Sequence, residues 1–283
     1  MYHYLITITY DGTKYYGWQR LSNQPSTIQN IIENALSKFT SEKIKINGSG
    51  RTDAGVSALG QTADFYSNIL LDESTFLQNV NMMLPTDIQI LKLQYINSRK
   101  YPDFHARKSA IAKHYRYTVS LTEKGNPFTC RYEYHLKETP LKLDFRNYCQ
   151  DESNYASQPY MNLNMQEIDQ CCQYLCGTHD FSAFTSDKST DKSHVRTISQ
   201  ITCTLNDGLF PTLTMDFVGD GFLYNMVRIL AGTILCCGLS QQKYSIIASQ
   251  IPDILESKER KNAGPTLPSN GLMLVSVTYD HFS

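Results

Sequence analysis

The sequence predicts an α+β protein whose two halves each follow the order β-α-β-β-α-β. The chain has 283 residues, enough for one large domain or two of ordinary size. Apolar residues alternate with polar ones along several short stretches, which is typical of strands. Between these stretches the apolar residues recur every three or four positions, which is typical of helices.

The first half begins with a predicted strand over Tyr2–Tyr10, where Tyr, Leu, Ile and Thr alternate. Ser26 and Gln29 fit a capping box, and apolar residues from Ile28 to Phe39 follow at helical spacing. The other predicted elements are a short strand at 43–47, a strand near 61–66, a helix opened by Asp72 and a strand at 88–95.

The second half repeats this order. Residues 113–121 place aromatic and apolar side chains on one face, which predicts a strand, and Asn164 and Glu167 predict the start of a helix. The other predicted elements are a hairpin at 195–205 and 213–218, an apolar helix over 222–235 and a strand over Leu272–Tyr279. This order is the ferredoxin-like arrangement, used twice.

Two ferredoxin-like sheets can join edge to edge. We therefore expect an extended, mostly antiparallel sheet with a central cleft, which is the default place for a functional site. We divide the chain into an N-terminal half, residues 1–108, and a C-terminal half, residues 109–283. The polar stretch at 137–164 is predicted to form a long surface loop.

Composition excludes several classes of protein. Apolar residues make up 41% of the chain and charged residues 19%, which excludes disorder as the main state. The net charge of −1 does not by itself indicate a nucleic-acid partner, so any basic surface must be local. The longest apolar stretch contains Arg228 and is too short to cross a membrane, so we expect no membrane partner.

The termini and cysteines bear on the compartment. The first residues lack the basic start and apolar run of a signal peptide. All eight cysteines follow residue 129, and none forms a C-x-x-C pair. We expect buried free thiols in a reducing cytoplasm.

Asp53 lies in a glycine-rich loop, GSGRTDAG, at residues 48–55. Glycine permits backbone conformations closed to other residues and lets a ligand approach closely. The carboxylate could act as a general base, a covalent nucleophile or a metal ligand, although no cluster at ligand spacing lies nearby. The alternative is a tight turn in which Arg51 and Asp53 form a surface pair.

Two further segments combine cations with aromatic rings. Tyr15, Trp18 and Arg20 follow the first strand and could stack on bases and bind phosphates, or could form a turn with a packed Trp. Residues 99–116 hold six basic residues and one acidic residue among aromatic ones. They predict RNA contacts through Arg107, Lys108 and Lys113, the alternative being a solvated connector.

Arg228 lies in an otherwise apolar predicted helix. A buried guanidinium is costly unless it is paired, so Arg228 either points to water or meets a carboxylate, for which Asp53 is the obvious candidate.

Seven segments, in order, resemble blocks of the TruA family of tRNA pseudouridine synthases. They are YDGTKYYGWQR, GSGRTDAGVSALGQ, FHARKSAIAKHYRY, GTHDFSAF, VRTI, GDGFLYNMVRILAGT and AGPTLPSNGL. The resemblance implies the duplicated α+β fold with a central cleft, a homodimer, and no metal or other cofactor. It also implies that uridine is isomerised to pseudouridine at positions 38 to 40 of the tRNA anticodon stem-loop.

The resemblance also implies roles for single residues. Asp53 would be the essential aspartate, Tyr115 the tyrosine that stacks on the target base, and Arg228 the arginine that pairs with the aspartate. Arg51 would help to hold the surroundings of the flipped nucleotide. Ser57 departs from the histidine that many bacterial members carry, and the 137–164 stretch looks longer than usual. Rival hypotheses are the same reaction on rRNA or another tRNA region, and an RNA-binding protein without catalysis.

Overall fold

The structure, a computed structural model, describes residues 1–122, 124–138, 140–141, 163–189, 191–239 and 246–280. Within these residues the strands are β1 (Tyr2–Tyr10), β2 (Asn47–Gly48), β3 (Ser57–Ser67), β4 (Ile88–Ile96), β5 (Ala110–Ser120), β6 (Tyr134–His135), β7 (Gly177–Asp180), β8 (Val195–Asn206), β9 (Thr212–Gly219) and β10 (Leu272–Tyr279). The α-helices are α1 (Ile28–Thr40), α2 (Glu73–Met83), α3 (Met165–Leu175), α4 (Met226–Leu239) and α5 (Ile251–Ser257).

The chain forms two compact units. The first contains Met1–Lys113 together with the last segment, Met273–Ser283, and the second contains His114–Leu272. Strands and helices occur in both, and most strand pairs are antiparallel, which confirms the α+β class. The predicted division after residue 108 stays a prediction about folding domains.

The first unit has the predicted order β-α-β-β-α-β. Strand β1 lies between β3 and β4 and is antiparallel to both, while β2 pairs with β3. Strand β10, from the far end of the chain, pairs with β3 in parallel. In α1, the side chains of Ile28, Ile32 and Leu36 are buried as their spacing predicts. Asp72 caps α2 as predicted, because its side chain accepts from the N–H of Thr75.

Two local predictions in this unit are wrong. Helix α1 starts after Thr27 without a side-chain cap, because the amide of Gln29 is directed inward to Glu33 and to the carbonyl oxygen of Ile46. Residues 43–46 do not form a strand. The N–H groups of Ile44 and Ile46 instead donate to side chains of α1, so only Asn47–Gly48 pairs with β3.

In the second unit β9 lies between β5 and β8, and β7 lies at the outer side of β8. The predicted hairpin is confirmed as an antiparallel pair of β8 and β9. Asn164 caps α3 as predicted, since its side chain accepts from the N–H of Glu167. Helix α4 starts four residues later than predicted, because Asn225 has a left-handed φ of 61° that interrupts a helix before Met226.

Most of the predicted loop at 137–164 lies outside the described residues. The cysteines that the structure describes are free thiols, and Cys171, Cys172, Cys236 and Cys237 among them are buried. Across the described ranges, no helix is long and apolar enough to cross a membrane.

Candidate active site

The loop that carries Asp53 joins β2 to β3, so a sheet holds both of its ends. Asp53 is half-buried, and its carbonyl oxygen accepts from the N–H of Val56 at 3.1 Å, which closes a turn around the aspartate. Arg51 is exposed, whereas Thr52 between them is 7% exposed. The loop therefore buries Ser49, Gly50 and Thr52 and presents Arg51 to solvent.

The segment after β1 lies directly against this loop. The N–H of Trp18 donates to the carbonyl oxygen of Thr52 at 3.0 Å. Gly17 has a φ of +83°, and a Cβ there would lie 2.7 Å from the same oxygen. A Cβ on Gly12 would lie 1.9 Å from the carbonyl oxygen of Val56. Such approaches exclude side chains, so these glycines let two backbone segments pack against each other.

Trp18 packs against the loop from the protein interior. It is 1% exposed, and its ring lies 6.1 Å from that of Tyr10. The Tyr10 hydroxyl lies 2.7 Å from the Thr52 hydroxyl, and burial raises the pKa of Tyr10 to about 12. A Cβ on Gly48 would lie 2.4 Å from Nε1 of Trp18. Trp18 is therefore packed in the interior, which is the alternative to base stacking that the sequence analysis gave.

Two residues of β3 hold this region through contacts that sequence analysis did not predict. Gln61 of β3 donates to the carbonyl oxygen of Gly50 at 2.9 Å and accepts from the Gly50 N–H at 3.2 Å. The Ser57 hydroxyl accepts from the N–H of Gly12 at 3.0 Å, so this departure from the family pattern has a structural role here. Such contacts link residues 11 and 45 positions apart, and local sequence patterns do not reveal them.

The other residues predicted to bind RNA in the first unit have different surroundings. Tyr15 is half-buried and donates to Asp87, and burial and this carboxylate raise the pKa of the phenol. Arg20 pairs with the buried Glu33 at 2.6 Å. Arg107 and Lys108 are exposed. Lys113 is half-buried and donates from Nζ to the carbonyl oxygen of Ser49 at 2.7 Å, so it contacts the backbone of the Asp53 loop.

In the second unit, Tyr115 lies on β5 and is 8% exposed. The ring of Phe222 meets it edge to face, with centroids 5.3 Å apart and an interplanar angle of 83°. Edge-to-face contacts fix ring orientation, so the face of Tyr115 is held in a defined direction. The neighbouring basic residue of β5, Arg116, forms a two-pronged contact with Asp216.

Arg228 is the one residue of α4 that is not buried. Its Nε donates to the carbonyl oxygen of Leu267 at 2.6 Å, and its NH1 donates to Oδ1 of Asn225 at 2.7 Å. The N–H of Leu267 returns a hydrogen bond to the carbonyl oxygen of Arg228 at 3.3 Å. These two hydrogen bonds fix the orientation of the guanidinium.

Among the described residues, no group of three or more His, Cys, Asp or Glu side chains lies close enough to hold a metal ion. The first unit thus contains Asp53 and the groups that hold its loop. The second unit contains Tyr115 and Arg228, each oriented by contacts of its own.

Sequence comparison shows the family to which the chain belongs. A family model described as tRNA pseudouridine synthase matches residues 6–102 and 171–280, which is more than half of the chain. The chain belongs to this enzyme family. The matched ranges include Asp53 and Arg228, whereas Tyr115 lies between them.

Curated members of the tRNA pseudouridine synthase family match nearly the full length. The tRNA pseudouridine synthase A of Acetivibrio thermocellus is 39% identical over 97% of this chain and 98% of its own. The protein of the same name from Caldicellulosiruptor saccharolyticus is 38% identical over 99% of this chain and all of its own. A third, from Thermoanaerobacter sp. strain X514, is 36% identical over the same shares.

Proposed function

We propose that this enzyme converts uridine to pseudouridine at positions 38 to 40 of the tRNA anticodon stem-loop, with Asp53 as its essential residue. The observation that carries the proposal is the Asp53 loop, in which the half-buried aspartate is held by the contacts of Tyr10, Trp18 and Gln61 with neighbouring loop residues. Membership of the tRNA pseudouridine synthase family supports the same reaction.

The reaction needs a carboxylate held in place. The bond between C1′ and N1 of uridine breaks, the base turns, and C1′ joins C5, after which C5 loses its proton and N1 gains one. The sugar becomes electron-poor when its bond to N1 breaks, as in glycoside cleavage, and a carboxylate can stabilise that state or trap it covalently. Asp53 supplies this carboxylate in our proposal. The isomerisation involves no net redox change and no group from outside, so it needs no cofactor.

Tyr115 and Arg228 have complementary roles in the proposal. The fixed ring of Tyr115 stacks on the uracil, and its hydroxyl is a candidate acceptor for the C5 proton. Arg228 keeps Asp53 ionised, because a neighbouring guanidinium lowers the pKa of a carboxylate. The hydrogen bonds to Leu267 and Asn225 support this role, since they fix the orientation of the cation.

RNA binding is assigned to exposed cations. Arg51, Arg107 and Lys108 bind phosphates in the proposal, because all three are exposed. A target base within a stem is flipped out at a cost of a few kcal/mol, which such contacts offset. We further propose a cytoplasmic homodimer, as the family resemblance implies. Light scattering of the purified chain tests the dimer directly.

Mapping of pseudouridine tests the proposed target. Unmodified total RNA is incubated with the enzyme, and carbodiimide-dependent stops are read by primer extension. We expect new stops at positions 38 to 40 of tRNA. Stops only in rRNA or in another tRNA region would contradict the target and keep the reaction. Binding of RNA without any stops would contradict the reaction itself.

A further inference from the structure

The turn at residues 104–109 exposes two cations, Arg107 and Lys108, while its neighbouring residues are packed in the protein interior. Arg107 and Lys108 are exposed, whereas the preceding Ala106 is 0% exposed. Phe104 and Ala106 pack in a small core with Leu5, Ile96 and Tyr279. The two cations therefore stand on a packed part of the first unit, unlike those of a solvated connector.

The turn is also closed by its own hydrogen bonds. The N–H of His105 donates to the Ser109 hydroxyl at 3.1 Å, and the Ser109 N–H donates to the carbonyl oxygen of His105 at 2.9 Å. The N–H of Arg107 donates to Nδ1 of His105 at 3.1 Å. These three bonds restrict the backbone on both sides of the exposed cations.

The backbone of Ala106 is held from two sides. Its N–H donates to Oδ1 of Asp64 on β3 at 2.8 Å. Its carbonyl oxygen accepts from the hydroxyl of Tyr279 on β10 at 2.7 Å. That hydroxyl also lies 2.6 Å from the hydroxyl of Thr62 on β3, so the tyrosine is itself held. Both polar groups of one turn residue are thus tied to neighbouring strands of the sheet.

Asp64 is a buried carboxylate, 1% exposed, outside the loop of Asp53. Its Oδ2 also accepts from Nε2 of His3 and from Nδ2 of Asn47, each at 3.2 Å. Burial alone would raise the pKa of Asp64, but the hydrogen bonds from His3, Ala106 and Asn47 outweigh it and lower the pKa. The carboxylate is therefore charged at neutral pH and binds Ala106 through a charge-assisted hydrogen bond.

We propose that Asp64 and Tyr279 are positioning residues for RNA binding, which hold Ala106 so that Arg107 and Lys108 meet RNA phosphates at a fixed place. Contacts to phosphates set the register of a protein on a nucleic acid. A loosened turn would still carry both charges, but it would no longer hold them against the phosphates, so phosphate contacts would be lost. This inference rests on the proposed RNA-binding role of Arg107 and Lys108.

The test measures the Kd for an unmodified tRNA transcript as a function of salt concentration. We call Asp64 and Tyr279, which hold Ala106, the clamp. The clamp variants are Asp64→Ala, Asp64→Asn and Tyr279→Phe. Each is made alone and in combination with the double variant Arg107→Ala/Lys108→Ala, which is also tested by itself. Each lost phosphate contact lowers the slope of log K against log salt by about 1. Asp64→Ala and Tyr279→Phe should raise Kd and lower this slope. Asp64→Asn keeps an oxygen for the Ala106 N–H and should have a smaller effect.

The combined variants show whether the clamp acts through the cations. Added to Arg107→Ala/Lys108→Ala, the clamp substitutions should cause no further loss of affinity, because coupled residues are not additive. Tyr4→Phe is the matched control, since it removes a tyrosine hydroxyl that bonds to residues 69 and 71, away from the turn. It should leave the salt slope unchanged.

Two results would overturn this inference without contradicting the proposed RNA-binding role of Arg107 and Lys108. The first is a wild-type Kd and salt slope in folded Tyr279→Phe, which carries the test even if Asp64→Ala does not fold. The second is a clear further loss of affinity in the combined variants. If Arg107→Ala/Lys108→Ala itself binds tRNA like the wild type, the proposed RNA-binding role of the turn fails, and the inference fails with it.

Discussion

The hydroxyl oxygens of Tyr10 and Thr52 lie 2.7 Å apart in the interior of the first unit. Thr52 is the residue before Asp53 in the sequence. Tyr10 is 4% exposed and Thr52 is 7% exposed, so water does not replace this hydrogen bond. Together with the bond from the Trp18 N–H to the Thr52 carbonyl oxygen, it fixes both the side chain and the backbone of Thr52. The position of Asp53 therefore depends on a residue of β1.

Replacement of Tyr10 by Phe should lower turnover without a large change in tRNA affinity. The buried Thr52 hydroxyl loses its partner, which costs about 1–2 kcal/mol of stability. We expect a lower kcat, a nearly unchanged KM and a modestly lower Tm. Tyr4→Phe is the control, because Tyr4 lies on the same strand and its hydroxyl bonds elsewhere. Equal kcat losses in both variants would show that Tyr10 acts only through general stability.

Gly17→Ala should be strongly destabilising. A residue with Cβ pays roughly 1–2 kcal/mol for a left-handed conformation, and the new Cβ would meet the Thr52 carbonyl oxygen at 2.7 Å. Thermal unfolding measures the effect. Gly221→Ala is the control, since its Cβ would meet only the Arg196 side chain, at 3.7 Å. A Tm loss no greater than that of Gly221→Ala would contradict the close packing of the two segments.

Substitutions of Asn225 separate its backbone role from its contact with Arg228. Asn225→Gly tolerates the φ of 61° but loses the acceptor for NH1, so we expect near-wild-type Tm and lower kcat. Asn225→Ala should lower both. Asn225→Asp keeps an acceptor for NH1, but its carboxylate competes with Asp53 for the Arg228 cation, so we expect a lower kcat than in the wild type. If Gly at position 225 gave full activity, orientation of Arg228 by this side chain would not matter for the reaction.

Stability should depend on the charge of Asp64 in the acidic range. The pKa of Asp64 is lowered in the folded protein, so its carboxylate stabilises the fold above the unfolded pKa of about 4. This contribution is lost as pH falls through the lower folded pKa. Denaturant unfolding from pH 7 to pH 3 should show the difference between wild type and Asp64→Asn shrinking below about pH 4. A pH-independent difference would show that the carboxylate charge contributes nothing.

The periodicity of apolar residues predicted most helices and strands because it reflects burial, which local spacing records. Ile28, Ile32 and Leu36 of α1 are buried as their spacing required. The failures arise where one distant group competes with a local pattern. The fit of Ser26 and Gln29 to a capping box did not anticipate Glu33 and Ile46 as partners of Gln29, and the alternation at 43–47 did not anticipate backbone bonds to α1.

Sequence reasoning proposed Asp53 because of the glycines around it, and the structure shows a close approach at one of them, Gly48 against Trp18. It did not predict the contacts of Gln61, Ser57 or Tyr279, because no short motif encodes them. The bond between Tyr279 and Thr62 joins residues 217 positions apart. The sequence also could not decide the role of Trp18, since an aromatic residue beside cations can either stack on a base or pack against a loop from the interior.

Pseudouridine formation by Asp53→Asn under single-turnover conditions tests the central claim most directly. Tritium release from C5-labelled tRNA gives the rate, and filter binding gives the Kd. Asp169→Asn is the control, the same carboxylate-to-amide change at an exposed position of α3. We predict that Asp53→Asn releases no tritium above background while its Kd stays near that of the wild type, and that Asp169→Asn is fully active. Tritium release by folded Asp53→Asn at the wild-type rate would contradict the assignment of Asp53.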